Sequence, residues 1–540
     1  MKINLVCFED GIIGVGFRKV ASFVKSIHHD VDCYFLSPTK HKTPLRILLM
    51  KNGNPGILDR ELIREIAEPL AKGDILGFSS MTSGAPQTKK ILAEVKRINP
   101  KIYTIWGGIH PIIHPEDAIL HADAICTGEG EFAFEEFLTV FKEGKDFSTT
   151  KNFWFNKDGE ITRNGFLPLA TGEDMDKFPL PLYFDNEMIF KKHQRFVPIT
   201  EADYLQYSGL AFNTVWTIGC PYHCSFCGNT VFIKNDKNYR KLRHSSVDYL
   251  IRQVKDVTRK HPHVSTVVFH DDSFMAIPKA TMQEFSEKWK NHINLPFCVQ
   301  GVIPSFVKEE KFEILVDAGM NRIRMGIQSG SDRILEFYKR PNKPGLIPHA
   351  ASIIAKFSDY MIPPAYDIIL DNPIETRVDI IDTLNLLYNL SRPFTLNIFA
   401  LRVIPNSELE RQLKERNLSV DEVSSNYNQA TPTVGNIMVY MLAIMNPPEW
   451  LFKFLLKHVK PAREKQSLYP ITLLFWRACW ILSRGLSHVR FMDFSLFMGR
   501  FGWIVWRLKI IKFWQERINK TFQKSIIANY KPVVQSRKLP

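Results

Sequence analysis

The sequence predicts an α/β protein in three parts. An N-terminal Rossmann-like (flavodoxin-like) parallel sheet leads, a partial (β/α)6 TIM-type barrel follows, and a mainly α-helical region closes the chain. Three observations carry this expectation. Short apolar runs alternate with amphipathic helical patterns from residue 1 to about 140, the alternation resumes in strand-then-helix units between about 210 and 420, and the β pattern is lost beyond 420. The expected boundaries are 1–145, a linker over 146–205, the barrel over 206–420 and the C-terminal region over 421–540. At 540 residues the chain has room for about three domains. Its 45% hydrophobic and 23% charged content suits packed cores rather than disorder.

The N-terminal elements follow in order. "KINLVCF" reads as a strand, and "FRKVASFVKSI" as a helix with Val20, Phe23, Val24 and Ile27 on one face. "DVDCYFL" and "DILGFSS" are the next strands, then a helix from about Gln87 to Ile98 turns Ile91, Leu92, Val95 and Ile98 inward. "IYTIW" runs into Gly107-Gly108, and "DAICTGEGE" is a short strand and glycine turn before the helix "FAFEEFLTVFKEG". Apolar strands separated by helices imply a parallel sheet covered on both faces, whose ligand crevice lies beyond the carboxyl ends of its strands. Ser79, Ser80, Thr82, Gly107, Gly108, Glu129 and Gly130 all follow strand ends, so they are expected on one rim. Neither a P-loop nor a G-x-G-x-x-G after a strand is present to explain that rim as a nucleotide site. The stretch 146–205 is turn-rich, with Pro179 and Pro181, and reads as a crossing between domains.

In the second half, "VWTIG" leads into a cysteine loop. Ser245 and Ser246 offer an N-cap for a helix bearing Val247, Leu250, Ile251, Val254 and Val257. "STVVFHDDSF", "PFCVQGV", "RIRMGIQSGS", "AYDIILDNP" and "TLNIFALRV" are further strands. Functional groups of such barrels gather at the C-terminal strand ends, where the cysteine loop, Asp271-Asp272 and Gln328-Ser329 stand.

The basic charge is concentrated at the end of the chain. The net charge is +14, but residues 451–540 hold 18 Lys or Arg against Glu464, Asp493 and Glu516, a balance of +15, so the remainder is near neutral at −1. Trp450, Trp476, Trp480, Trp503, Trp506 and Trp514 lie there among apolar runs broken by Arg477, Arg500, Arg507 and Lys509. No run supplies roughly 20 uninterrupted apolar residues, so a spanning helix is not expected. Two roles stay open for these helices: capping the barrel with the arginines left wet, or peripheral contact with an anionic membrane at the inner face. "MKINLVCFED" lacks the apolar h-region of a secretory signal, and five of the eight cysteines are isolated in apolar settings, so a cytoplasmic, reduced protein is expected.

The remaining three cysteines form the chemical signal. "GCPYHCSFCGN" sets Cys220, Cys224 and Cys227 at C-x3-C-x2-C spacing. A structural zinc site wants four N or S ligands. His223 is next to Cys224 and poorly aimed at a shared ion, while His244 or His270 would have to arrive from elsewhere in the fold. A [4Fe–4S] cube needs one ligand per iron, so three thiolates leave one corner for a small molecule.

"CPYHCSFC" resembles the C-x3-C-x-Φ-C motif of the radical S-adenosylmethionine (SAM) family, with Phe226 as the aromatic residue. The resemblance covers residues 206 to about 415. It implies that SAM takes the fourth iron and that one electron cleaves its sulfonium to a 5′-deoxyadenosyl radical. "VVFHDDSF" resembles the segment that approaches the SAM amino group, which implicates Asp271 and Asp272. "GMNRIRMGIQSGSDRIL" resembles the ribose-contacting strand, which implicates Gln328 and Ser329. "DIILDNPIET" resembles G-x-P-G-E-T with Asp371 and Ile374 in place of both glycines. Residues 1 to about 140, through "DILGFSSMTS", "IYTIWGGIHPIIHPEDAI" and "ADAICTGEGE", are similar to the cobalamin-binding domain that precedes the barrel in one radical SAM class. The rim residues would then face the corrin and its nucleotide tail. No D-x-H-x-x-G segment supplies a cobalt ligand; His110 could be offered as one, but beside Pro111 it reads as a hydrogen-bonding turn residue.

The resemblance implies an enzyme with a [4Fe–4S] cluster, SAM and cobalamin as cofactors and an external electron donor of flavodoxin or ferredoxin type. The basic C-terminal region suggests a small-molecule or lipid-like substrate that is anionic or membrane-associated, and a phosphorylated intermediate, a tetrapyrrole or a peptide fits equally. The chain most resembles a methyltransferase acting on an unactivated carbon. A radical cyclase, rearrangement or oxidation enzyme, and more remotely a non-catalytic cobalamin or iron–sulfur sensor, stay open. A tRNA methylthiotransferase is disfavoured because Cys7, Cys33 and Cys126 form no array, and no nucleic-acid partner is expected.

Overall fold

In the computed structural model the described residues are 1–9, 11–37, 58–181, 183, 186–191, 195–340, 342–420, 430–461, 474–479, 481–482 and 508. They form two compact units, the first mainly from residues 1–209 and the second mainly from residue 210 onward.

The first unit is a nine-stranded sheet of β1 (Ile3–Phe8), β2 (Val31–Leu36), β3 (Ile75–Ser80), β4 (Tyr103–Gly107), β5 (Ala124–Cys126), β6 (Phe153–Lys157), β7 (Glu160–Arg163), β8 (Glu187–Lys191) and β9 (Arg195–Pro198). Their order is β7-β6-β5-β4-β3-β1-β2-β8-β9. The strands from β5 through β8 in that order run parallel. β6, β7 and β9 extend the edges antiparallel. Residues of β1, β3 and β4 are nearly all buried, as expected for a sheet with helices on both faces.

The stretch 146–205, expected as a linker, is instead part of this sheet: it supplies β6 to β9. These strands hold only four or five residues each and are separated by turns, so their period-2 pattern is too brief to register. A buried ion pair fastens them. Arg18 is paired with Glu187, which also accepts a hydrogen bond from Tyr204 Oη at 2.7 Å. Arg18 donates to the Ile12 and Ile13 carbonyls at 2.8 and 3.0 Å and lies over the Phe35 and Tyr183 rings.

The second unit holds β10 (Ala211–Thr214), β11 (Thr217–Ile218), β12 (Arg243–His244), β13 (Thr266–Phe269), β14 (Phe297–Val302), β15 (Met320–Gln328), β16 (Ala365–Leu370) and β17 (Thr395–Ala400). Six of them make one open parallel sheet, β10-β13-β14-β15-β16-β17, consistent with a partial barrel. The first barrel strand is "AFNT", not the expected "VWTIG". Thr217 and Ile218 pair antiparallel with Arg243 and His244 in a separate ribbon, which leaves the sheet just before the cysteines. On the covered face Phe269 and Phe297 pack with Phe285 and Trp289 of the helix Lys279–His292 at ring distances of 5.2 to 6.0 Å. Ser246 caps the helix Val247–Lys260 through the Tyr249 N–H, as the sequence implies.

The C-terminal helices Val434–Ile444 and Glu449–Leu456 pack on the second unit. The apolar runs around Trp480, Arg500, Trp503, Trp506, Arg507, Lys509 and Trp514 lie outside the described residues. Among the described residues no helix is long and apolar enough to cross a membrane.

Candidate functional site

The cysteine loop is held by its backbone from several sides. Cys220 N donates to the Tyr239 carbonyl at 3.3 Å, Ser225 N to the Tyr338 carbonyl at 2.8 Å, and Cys227 N to the Cys224 carbonyl at 2.9 Å. Gly219 enters the loop at φ +104, and a Cβ there would lie 2.6 Å from the Lys241 carbonyl oxygen, so only glycine fits. Phe226 packs edge-on against Tyr338 at 5.0 Å among Ile334, Ile369 and Leu409. Its ring therefore anchors the loop on the core.

Cys220, Cys224 and Cys227 are free thiols; the first two are buried and Cys227 is half-buried. Burial pushes Cys220 up to about 11 and Cys227 up to about 12, opposed by N–H groups of Tyr222 and Asn229 that point at the sulfurs. Arg340 donates to Cys224 Sγ at 3.7 Å. The Cys220 and Cys227 thiols stay protonated alone and ionise on metal, and the donors around them suit the thiolate form. Sulfurs sharing one zinc ion at about 2.3 Å would lie about 3.8 Å apart. Among the described residues the trio of ligand atoms within 4.8 Å of one another is His110, His114 and Asp117, and the cysteine sulfurs make no such trio.

The two adjacent aspartates have different surroundings. Asp271 is buried and its carboxylate accepts the N–H of Thr217 at 2.5 Å and of Trp216 at 3.3 Å, so it fixes the entry to the cysteine loop. Asp272 is open to solvent yet ringed by protein. Desolvation raises its pKa above the usual carboxylate value, Asn229 opposes that, and its charge is felt at Cys220 and Cys227. An accessible carboxyl in a recess beside the cysteines suits an ammonium ligand. Gly301 on β14 secures the pair: at φ +66, a Cβ there would fall 2.0 Å from the Asp271 carbonyl oxygen.

Gln328 ends β15 at φ +73, beside a register shift, a strained conformation for a non-glycine residue. Ser329 is fully buried and bonded to Thr383 Oγ1 at 3.2 Å and to the Ser331 N–H, so its hydroxyl serves the turn. Asp371, where the family motif has glycine, keeps a glycine-like φ of +61. Its carboxylate accepts Thr431 N at 2.6 Å and Asn436 Nδ2 at 2.7 Å, tethering the C-terminal segment to the strand end.

Sequence reasoning missed a polar layer. Alternation along the strands puts Asn213, His270, Gln300, Arg324, Asp367 and Asn397, one from each strand or its end, on the face opposite the Phe269–Phe297 core. His270 Nε2 meets Asn213 Oδ1 at 2.7 Å and His270 also bonds Gln300. Arg324 Nε donates to both Asp367 oxygens at 2.7 and 2.9 Å, and Asn397 Nδ2 reaches Asp367 at 3.0 Å. The Arg324 terminal nitrogens stay unpaired among the described residues, and the side chain is 33% exposed. Only strand phase could have signalled this layer, and the first strand's phase was misplaced. Arg340 carries no spacing signal at all.

In the first unit the β3 and β4 parts of the expected rim come together. Gly108 sits at φ +86, and a Cβ would lie 2.8 Å from both Ser79 Oγ and Ser80 N, so the β3 and β4 ends touch backbone to backbone. Gly107 has ordinary room. Ser80 Oγ accepts the Trp106 indole N–H at 2.9 Å. Glu129 accepts the Ala170 N–H at 2.7 Å and Gly130 begins the helix Glu131–Lys142, which gives both a fold role. His110 is buried, lies tilted against Trp106 at 4.9 Å and bonds Asp117 through Nε2 at 2.9 Å; burial lowers its pKa. Lys89 occupies the other Asp117 oxygen at 2.6 Å, which leaves that His/Asp trio poorly suited to a cation. Thr82 Oγ1 and His110 Nδ1 are buried without a hydrogen-bond partner among the described residues. Orphaned polar atoms on a glycine-built rim suit an amide-rich ligand such as cobalamin.

A radical SAM superfamily model matches residues 214–387, and a B12 binding domain model matches residues 1–138. An uncharacterized methyltransferase of Pyrococcus horikoshii is 22% identical over 60% of this chain and 66% of its own length. The anaerobic magnesium-protoporphyrin IX monomethyl ester cyclase of Rubrivivax gelatinosus is 22% identical over 52% and 48%. The bacteriochlorophyllide d C-8(2)-methyltransferase of Chlorobaculum tepidum is 24% identical over 49% and 52%. The chain thus spans between 48% and 66% of the length of these curated relatives. The fold matches the cobalamin-dependent SAM radical enzyme OxsB, with aqua-cobalamin and SAM bound, at TM-score 0.60 and 13% identity over 99% of this chain and 79% of that one. It also matches TsrM of Kitasatospora setae, a radical SAM methyltransferase with cobalamin and a [4Fe–4S] cluster bound, at TM-score 0.58 and 13% identity over 77% and 78%.

Proposed function

From the premise that this chain belongs to the radical SAM proteins that carry a B12 binding domain, with a [4Fe–4S] cluster, SAM and cobalamin as cofactors, we propose that it methylates an unactivated carbon of a small-molecule or lipid-like substrate. When bound, these cofactors supply one-electron cleavage of SAM and carriage of a methyl group. The observation that carries the reading is one chain holding both a three-thiolate loop at a barrel strand end and a B12-type rim.

The chain's own residues prepare that chemistry. Cys220, Cys224 and Cys227 would hold the cluster, with Arg340 beside Cys224. Asp271 sets the loop's entry, and Asp272 would receive the SAM ammonium. Gln328, at its strained strand end, would meet the ribose. The layer around Arg324 and Asp367 orients the substrate. Thr82, Gly107 and Gly108 line the cobalamin rim. Electrons come from an external flavodoxin- or ferredoxin-type donor.

The test is anaerobic turnover with methyl-deuterated SAM on metabolite extracts of a strain lacking the gene. Label in a new product, with S-adenosylhomocysteine and 5′-deoxyadenosine both released, supports methyl transfer. 5′-Deoxyadenosine with product but no label favours a cyclase or rearrangement, the second reading to which the likeness to the magnesium-protoporphyrin cyclase points.

A further inference from the structure

Among the described residues the helix Glu449–Leu456 is clamped to the barrel helix Arg377–Asn389 along one face. Phe452 stacks on Tyr388 at 4.1 Å, and Arg377 donates to the Leu456 and Val459 carbonyls at 3.0 and 2.9 Å. The other face carries the wrong residues for a solvated surface. Trp450 is 71% exposed and Phe454 53%, one helical turn apart, and Met445 just before the helix is 54% exposed. Lys453 and Lys457 stand exposed among them, Lys453 ion-paired with Glu449 at 2.6 Å and Lys457 one turn further on. Large apolar side chains gathered outward on one short helix mark a docking surface.

We propose that this face docks the protein on an anionic lipid bilayer. Trp450, Phe454 and Met445 would enter the interface while Lys453 and Lys457 meet headgroup phosphates. Charge complementarity selects this occupant: residues 449–461 carry Lys453, Lys457 and Lys460 against Glu449, and in the sequence residues 451–540 carry 18 Lys or Arg against three acidic residues, whereas the rest of the chain is near neutral. An aromatic-and-lysine face on a helix too short to span is the pattern of a helix lying in the interface plane. The inference stands independently of the reaction, because none of these side chains belongs to the site described above.

The test is co-sedimentation of the full-length holoprotein with phosphatidylcholine vesicles and with phosphatidylcholine–phosphatidylglycerol vesicles. The protein is expected to pellet with the anionic vesicles, weakly with the neutral ones, and to be released as salt rises from about 0.1 M to about 1 M. W450S/F454S is expected to lower partitioning by about tenfold per aromatic removed, with iron content unchanged as the folding control. K453Q/K457Q, a purely surface change, is expected to weaken only the anionic, salt-sensitive part. Equal partitioning of W450S/F454S and wild type overturns the proposal. So does failure of wild type to bind anionic vesicles, and so does a dimer in sedimentation velocity that W450S/F454S dissolves without any lipid effect.

Discussion

Replacing Asp271 with asparagine removes one oxygen from a buried carboxylate that accepts two backbone N–H groups, from Thr217 at 2.5 Å and Trp216 at 3.3 Å. Thr217 stands three residues before Cys220, so these bonds set where the cysteine loop begins. Hydrogen bonds to a charged group contribute about 1.5–3 kcal/mol each. The amide of D271N keeps one acceptor but turns an N–H toward the other donor, for an expected cost of about 2–4 kcal/mol; D271A leaves both donors unpaired and lies at the upper end. Asp272 is the internal control, because it is exposed and holds no backbone group among the described residues. D272N should leave stability within about 0.5 kcal/mol and iron content unchanged, while weakening SAM binding. Guanidinium titrations followed on the cluster's visible absorbance, with iron per chain after gel filtration, compare the two directly. Wild-type midpoint and iron in D271N, or iron loss in D272N, would refute the assignment of roles.

Three further outcomes follow from the same contacts. G301A forces a methyl to within 2.0 Å of the Asp271 carbonyl oxygen at a φ of +66, so it should displace the Asp271–Asp272 turn, lose iron as D271N does, and add about 1–3 kcal/mol of strain. R18M leaves Glu187 buried and uncompensated, and thermal melting should report a loss of about 3–5 kcal/mol, most of it recovered in R18M/E187M. Glu375 is raised to about 8 by burial and by neighbouring Asp371 and Asp379, so between its unfolded value and about 8 the folded chain holds one more proton than the unfolded chain. Stability therefore falls as pH rises through that window, and E375Q should flatten the fall and be the more stable form at pH 8, as denaturant midpoints across pH would show.

Much of the fold was legible because its signal is periodic. β1, β3 and β4 are continuous apolar runs, and the helices after them carry one clean face, so strand ends and the rim could be located. The three cysteines were legible because metal-ligand spacing is local. Residues 146–205 were not, since strands of four or five residues show no sustained period and their membership in the first sheet depends on the distant Arg18–Glu187 pair. "VWTIG" is more apolar than "AFNT", yet the latter is the barrel strand, because its Asn213 and Thr214 bond to His270 and Gln253. Adjacent Asp271 and Asp272 are indistinguishable as letters; only a backbone donor beside one and a recess beside the other separates them. Arg340 reaches Cys224 across 116 positions, beyond any local pattern.

The most direct test of the central claim is Mössbauer spectroscopy of the iron-enriched, anaerobically reconstituted protein with and without SAM. About four irons per chain are predicted, three of them indifferent to SAM and one whose signal changes when SAM is added, with all iron lost from the C220A/C224A/C227A variant. Four equivalent irons unaffected by SAM, or tightly bound zinc in their place, would contradict it.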